Sequence, residues 1–317
     1  MTAAQVNAPG AAGPGPARRL RAPKWLLAGP SIFWYLAFFV VPILFIVLYS
    51  LGTKNAASTS GVPVDLGSLT LQNYRDAFSD TFFKTFRATI RIAITATVLC
   101  TVIGLPVAYF LAFKVSEKWR AILLAMIIIP SFTSFLIRTL AWRIPLAPNG
   151  TLSKWLQDWG VISGPIQLLE TQTAVQIALV YNYLGFMILP LFVALDRIEP
   201  GLREASKDLG AGRVGTFLRV TFPLAGPGIA AGVLLTFIPM CGDFVTAVVL
   251  GGADGNMIGA MIDSQFKGAQ DWPLGSAMAV VMIGAVLLVL GIGAAIVLAV
   301  RAVLNARRRV ILPEVTR

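Results

Sequence analysis

Histidine is absent from all 317 positions, and the chain has only two cysteines and 15 acidic residues. Without histidine, imidazole-ligated metal sites and histidine general-base catalysis are excluded. Cys100 and Cys241 both sit inside apolar runs, which argues against a disulfide framework and for thiols packed as small hydrophobes. Charged residues make up 13% of the chain, against about 25% in soluble domains. None of the eight lysines follows a glycine, so no Gly-x4-Gly-Lys-Ser/Thr loop is present to cradle a nucleotide phosphate.

Apolar sequence fills the space that charge leaves. Mean hydropathy is +0.77, and several runs exceed the roughly 18 residues that mark a membrane-spanning helix. A β-barrel would need segments of about 10 residues with alternating polarity, and residues 121–130 do not alternate. The pattern predicts an all-α integral membrane protein with six spans, near residues 26–50, 87–113, 120–142, 173–195, 227–250 and 276–301. The first apolar run is longer than the roughly 7–15 residues of a signal-peptide core, so it reads as a retained span.

The net charge of +11 invites a nucleic-acid reading. The basic residues instead punctuate the spans and form no patch on a soluble domain. Membrane lipid is therefore the expected surroundings and nucleic acid is not an expected partner. Lysines and arginines number 17 in the loops and tails on one side of the six spans and 6 on the other. By the positive-inside rule both termini are cytoplasmic. The chain then divides into a disordered basic tail over 1–25, a transmembrane domain over 26–301 and a basic cytoplasmic tail over 302–317.

The longest inner loop, 197–226, has the most distinctive composition. Pro200 suits a first helical turn, Glu204 lies near the helix N-terminus where the macrodipole favours negative charge, and Gly210 and Gly212 can end the helix. Leu202, Ala205 and Leu209 fall near one face, and Ala205, Ser206 and Gly210 are small enough for another backbone to approach closely. An amphipathic helix lying on lipid is the alternative. It would present bulky Trp or Phe, and residues 200–214 contain neither.

Glu204-Ala205-Ser206, then Gly210, then Val220-x-Phe222-Pro223 follows a known spacing. It resembles the pattern Glu-Ala-Ala, three residues, Gly, nine residues, Ile-x-Leu-Pro of permease subunits in binding-protein-dependent ABC importers. Ser206, Val220 and Phe222 are the departures. The resemblance implies a type I importer permease fold. It also implies a coupling helix near 200–212 that docks on an ATPase through Glu204, Ala205, Ser206 and Gly210, with Pro223 closing the motif. A second permease subunit, an ATP-binding subunit dimer and an extracytoplasmic substrate-binding protein are the implied partners, in a bacterial cytoplasmic membrane. ATP and Mg would belong to the partner ATPase, and this chain, a transport subunit rather than an enzyme, would carry no cofactor of its own.

Further segments resemble the spermidine/putrescine branch, and the first of its two permeases in particular. They are residues 130–142, Pro148-Asn149-Gly150, residues 179–195, Gly242-Asp243-Phe244 with Gly251-Gly252, and residues 271–276. Independently, Asp243 is a carboxylate inside the fifth predicted span, and such a residue is a functional candidate by default. It reads either as a counter-charge for a cationic solute or as the partner of an intramembrane arginine, Arg138 or Arg91. Trp142, Tyr181, Tyr183 and Phe244 would add cation–π contacts or serve as packing and interface anchors; Arg138 would line the same path or snorkel outward. Pro239, four residues before Asp243, either frees a carbonyl near that path or simply kinks the helix. A permease for another small solute and an ion-coupled secondary transporter are the competing functions.

Overall fold

The computed structural model describes residues 24–55, 64–253 and 255–309. It resolves into two compact units, the first ending at Ile46 and the second beginning at Val47. The expectations for residues 1–23 and 310–317 lie outside the described residues.

Among the described residues, four helices are long and apolar enough to cross a membrane unaided: Ala28–Ser50, Asp80–Phe113, Gln172–Asp196 and Trp272–Ala299. Two further crossings exist if each of two bent pairs counts as one. Glu117–Phe132 meets Phe135–Asp158 at 95°, and Arg213–Leu224 meets Gly226–Cys241 at 63°. The final helix continues to Arg309, so residues 302–309, expected as tail, are helical.

Within the second unit the core is built by Asp80–Phe113, Gln172–Asp196 and Gly226–Cys241. Ala96, Cys100, Gly104 and Ala108 recur every four residues on the first and are all buried. Gly228, Gly232, Thr236 and Met240 do the same on the third. Stripes of small residues let helix backbones approach closely, which replaces the hydrophobic drive that lipid does not supply. Met187 fills the space between them: a Cβ at Gly104 would sit 3.1 Å from its Cγ, and one at Gly232 only 2.5 Å from its sulfur. The two cysteines are buried here and unpaired.

The spans expected at 120–142 and 227–250 are both interrupted, and the cause is local. Pro130 opens a 3-10 turn, Ile129–Phe132, and Thr133 turns its hydroxyl back onto the Pro130 carbonyl at 2.7 Å. In the fifth span the helix ends at Cys241, just after Pro239, and restarts only at Phe244. Pro106 and Pro190 are carried inside their helices without a break. π-Helical turns at Leu36–Val40 and Phe217–Thr221 end two residues before Pro42 and Pro223. A wider turn relieves the clash that a proline ring makes with the preceding turn.

At the end of the molecule that carries loop 197–226, Arg120 ties three helices. It donates to Asp196 at 2.7 Å and to the Ala112 carbonyl at 3.1 Å, the latter among the exposed carbonyls that close Asp80–Phe113. A cation is favoured at that negative helix end. The opposite end carries a two-stranded antiparallel ribbon pairing Thr53 with Asp65 and Lys54 with Val64. Short helices Gln72–Ala77, Thr151–Asp158 and Ile258–Lys267 join it there.

Gly259 packs on the break in the fifth span, where a Cβ would lie 2.9 Å from the Gly242 carbonyl oxygen. Gly259→Val is expected to destabilise the protein by about 1–3 kcal/mol. The measurement is the unfolding temperature in detergent, and an unchanged value would show that the backbone there yields freely.

Candidate coupling helix and intramembrane path

The helix predicted near 200–212 forms over Pro200–Asp208, with proline in its first turn. Its end is a Schellman arrangement. Gly210 adopts φ +83°, its N–H donates to the Lys207 carbonyl at 2.8 Å, and the Ala211 N–H donates to the Ser206 carbonyl at 3.1 Å. Only glycine holds that left-handed conformation without strain, and the two bonds satisfy carbonyls the helix leaves open.

The helix has two unlike faces. Leu202, Glu204, Ala205, Asp208 and Leu209 are exposed, Leu209 to 89%. Arg203 and Ser206 turn toward the rest of the chain. The Ser206 hydroxyl lies 3.2 Å from that of buried Thr216. Arg203 donates to the Tyr109 hydroxyl at 3.1 Å and stacks 3.8 Å from the Phe113 ring centroid. Tyr109 in turn meets Phe113 and Phe217 edge-on, at 4.9 and 5.8 Å between centroids. Pro223 follows the π turn and is exposed. Sequence reasoning missed the Arg203 contacts, because Tyr109 lies 94 residues away and nothing local announces the pairing.

At the other end, Asp243 is 5% exposed and caps the restarted helix. One oxygen accepts the Thr246 N–H at 2.9 Å and the other accepts the Thr246 hydroxyl at 2.7 Å. Neither arginine considered as its partner forms an ion pair with it among the described residues. Arg91 donates to Gln172 at 3.2 Å. Arg138 lies over the Phe135 ring, 5.8 Å from its centroid. Both Arg138 and Asp243 nonetheless come within electrostatic reach of the Tyr183 hydroxyl, so the structure gathers Asp243, Arg138 and Tyr183 where Phe135–Ala141, Gln172–Asp196 and the restarted helix meet.

Trp142 and Tyr181 form a separate edge-on pair 5.4 Å apart. Phe244 instead lies beneath Lys267, whose ammonium is 5.2 Å from the ring centroid and 2.7 Å from Asp263. A cavity of about 250 Å³ opens beside this group, lined by Gly242, Phe244, Gly259, Asp263 and Phe266 among others. Sequence reasoning also missed Asn182, which donates to Thr139 at 3.1 Å while its own carbonyl oxygen, like the Nε of Arg138, has no partner among the described residues. A buried amide in a helix that reads as apolar was the available signal.

Residues 104–309 match the family described as the binding-protein-dependent transport system inner membrane component. The chain belongs to that family. This permease is 36% identical to the spermidine/putrescine transport system permease protein PotB of Haemophilus influenzae, over 78% of this chain and 84% of the relative. With the protein of the same name from Escherichia coli K12 it shares 38%, over 81% and 92%. Its fold matches a chain of a bacterial ABC transporter involved in the import of the acidic polysaccharide alginate, with a TM-score of 0.66 at 18% identity, covering 86% of this chain and 95% of that one. The permease is thus a multi-pass inner-membrane transport subunit with the ABC importer fold.

Because Asp243 caps the helix that restarts after Cys241, its charge and its hydrogen bonds are separable. Asp243→Ala should cost about 1 kcal/mol of stability as a lost cap. Asp243→Asn keeps an oxygen for the Thr246 N–H and should retain most of it. Thermal unfolding of the two purified variants checks the order, and equal losses would discount the cap.

Proposed function

We propose that the permease carries a polyamine, spermidine or putrescine, across the cytoplasmic membrane as one subunit of an ATP-driven importer. The similarity to the two spermidine/putrescine permeases over about four-fifths of the chain carries the substrate class. The physical reading agrees with it. A carboxylate, Asp243, sits at a helix break, within electrostatic reach of Tyr183, and the neighbouring helix Gln172–Asp196 carries a buried amide oxygen on Asn182 without a partner among the described residues. Carboxylate and hydroxyl oxygens, an amide oxygen and aromatic faces are the groups that take over the hydration of an ammonium. Arg138 keeps the unoccupied path from carrying a net negative charge. Tyr181, Trp142 and Phe244 extend it with aromatic surface.

In this reading both termini and loop 197–226 are cytoplasmic, following the excess of lysine and arginine on that side. The exposed face carrying Glu204, Ala205 and Leu209 docks on a separate ATP-binding subunit, of which the assembly holds two copies, with Gly210 closing the helix. Those subunits bind the ATP and Mg, since this chain has no phosphate loop. A second permease completes the path, and an extracytoplasmic binding protein delivers the solute. Nucleotide binding shifts the pair between outward-open and inward-open packings.

The decisive experiment is uptake of labelled putrescine and spermidine by proteoliposomes containing the complex purified through a tag on this chain. ATP-dependent uptake of either is expected, and uptake of neither would overturn the substrate class. Asp243→Asn should weaken apparent affinity by roughly 10–100-fold, the worth of one hydrogen bond to a charged group, with assembly intact. Glu204→Lys should lower uptake on the order of tenfold while the chain still inserts. Full uptake would remove Glu204 from the coupling surface.

A further inference from the structure

Among the described residues, the ring contacts and hydrogen bonds that cross from the Pro200–Asp208 helix to Asp80–Phe113 all come from one side chain, Arg203. Its guanidinium stacks 3.8 Å from the centroid of Phe113, lies 5.6 Å from that of Tyr109, and donates to the Tyr109 hydroxyl. Phe217 backs Tyr109 from the π turn. The remaining side-chain tie of this helix, Ser206 to Thr216, reaches only ten residues along the chain and so holds the loop to itself.

A planar cation in an aromatic box resists displacement in more directions than a single hydrogen bond does. The rings fix its height and tilt, and the Tyr109 hydroxyl fixes its rotation. The helix that receives it is the longest of the three that build the core. About 30 Å further along that helix, 20 residues at the usual rise, the Thr89 hydroxyl oxygen accepts the N–H of Ile258 at 2.8 Å. Ile258 opens the helix whose Gly259 packs on the break at Gly242. Midway, Thr97 donates to the sulfur of Met240 at 3.6 Å. The same continuous helix, which carries Pro106 without a break, therefore touches the candidate coupling helix at one end and the segment around Asp243 at the other.

We propose that Arg203 is a positioning residue for energy coupling: seated against Tyr109 and Phe113, it locks the coupling helix to Asp80–Phe113, so that a push on the exposed face moves that helix, and the Asp243 break with it, as one body. The inference rests on the docking role proposed above. It adds the residue through which motion leaves the docking helix.

The test measures rigidity and coupling separately. Spin labels on Lys114→Cys and Lys207→Cys, both at exposed positions, report the distance between the end of Asp80–Phe113 and the coupling helix in the purified complex. A single narrow distribution is expected, with the same peak in nucleotide-free and ATP-vanadate states. Arg203→Gln should broaden it and lower uptake of labelled putrescine and spermidine per ATP hydrolysed by about fivefold or more. Arg203→Lys, which keeps a cation over the ring but loses the planar fork, should fall between. If Arg203→Gln does not assemble, Tyr109→Phe carries the test, since it removes only the acceptor. A variant distribution as narrow as the parent, a parental peak that moves with nucleotide, or uptake and hydrolysis falling in proportion would each overturn the strut. The docking reading fails on a different result, a Glu204→Lys complex that transports normally.

Discussion

Hydrocarbon offers no water to an open N–H or C=O, and every irregularity in this chain has to meet that condition from its own residues. Four of the places where its helices depart from regular geometry show how. At Leu36–Val40 and Phe217–Thr221 the backbone widens into a π turn and accommodates a proline two residues later. At Pro130 the N–H and the hydroxyl of Thr133 both donate to the Pro130 carbonyl and close the turn. At Gly242 an aspartate caps the helix that starts again, using both oxygens on Thr246. The first device keeps a span continuous, and the second precedes a 63° bend into Gly226–Cys241. The last two allow it to break, and the residues proposed for the solute path cluster around those breaks. Exposing polar backbone at membrane depth is tolerated where it lines a path or is covered by protein, so the breaks and the path have one cause.

That cause also explains what the sequence disclosed and what it hid. The coupling helix was legible almost residue by residue, because its limits are set by local chemistry: proline in the first turn and a left-handed glycine just past the end. The spans were legible as apolar runs. Their interruptions were not, because Pro130 and Pro239 look no different in sequence from Pro106 and Pro190, which their long helices carry without interruption. The difference lies in the residues just downstream of each proline. Ser131 to Ser134 and Gly242-Asp243 supply short polar groups able to cap a new start, whereas Pro106 and Pro190 lead into helix-compatible apolar residues. Long-range pairings such as Arg203 with Tyr109, or Thr89 with Ile258, leave no local trace, since a single arginine or threonine in a polar loop or an apolar helix fits many environments.

Asp243 illustrates how a correct identification of an unusual residue leaves its partner undetermined. A carboxylate in a span predicts a compensating group, and arginines at 91 and 138 were the charged options. The structure compensates it with a threonine three residues later instead. An N-cap satisfies one lone pair on each oxygen, and an ionised carboxylate has about four such sites. The cap therefore holds the group in place and still leaves capacity for a cation. An ion pair with Arg138 would have used that capacity up. In this respect the structural and the functional readings of Asp243 are not rivals.

The two ends of the permease then face opposite demands. In the proposed function the Pro200–Asp208 helix receives force, and its outward face mixes Leu202, Ala205 and Leu209 with Glu204 and Asp208 while its inward face is held by an arginine against two aromatic rings. The path must yield to force, and it is assembled from short pieces of helix, Phe135–Ala141 and Phe244–Thr246, joined at breaks. Between them run three helices, two of which, Asp80–Phe113 and Gly226–Cys241, present buried and mostly small residues at every fourth position. Close backbone packing of that kind has few alternative arrangements, because bringing a larger side chain into the seam forces the helices apart. In the proposed mechanism, a close-packed middle with one stiff joint and one soft end converts a small displacement at the loop into a change at the break. With a middle as soft as the path, the same displacement would be lost in side-chain repacking before it reached Asp243.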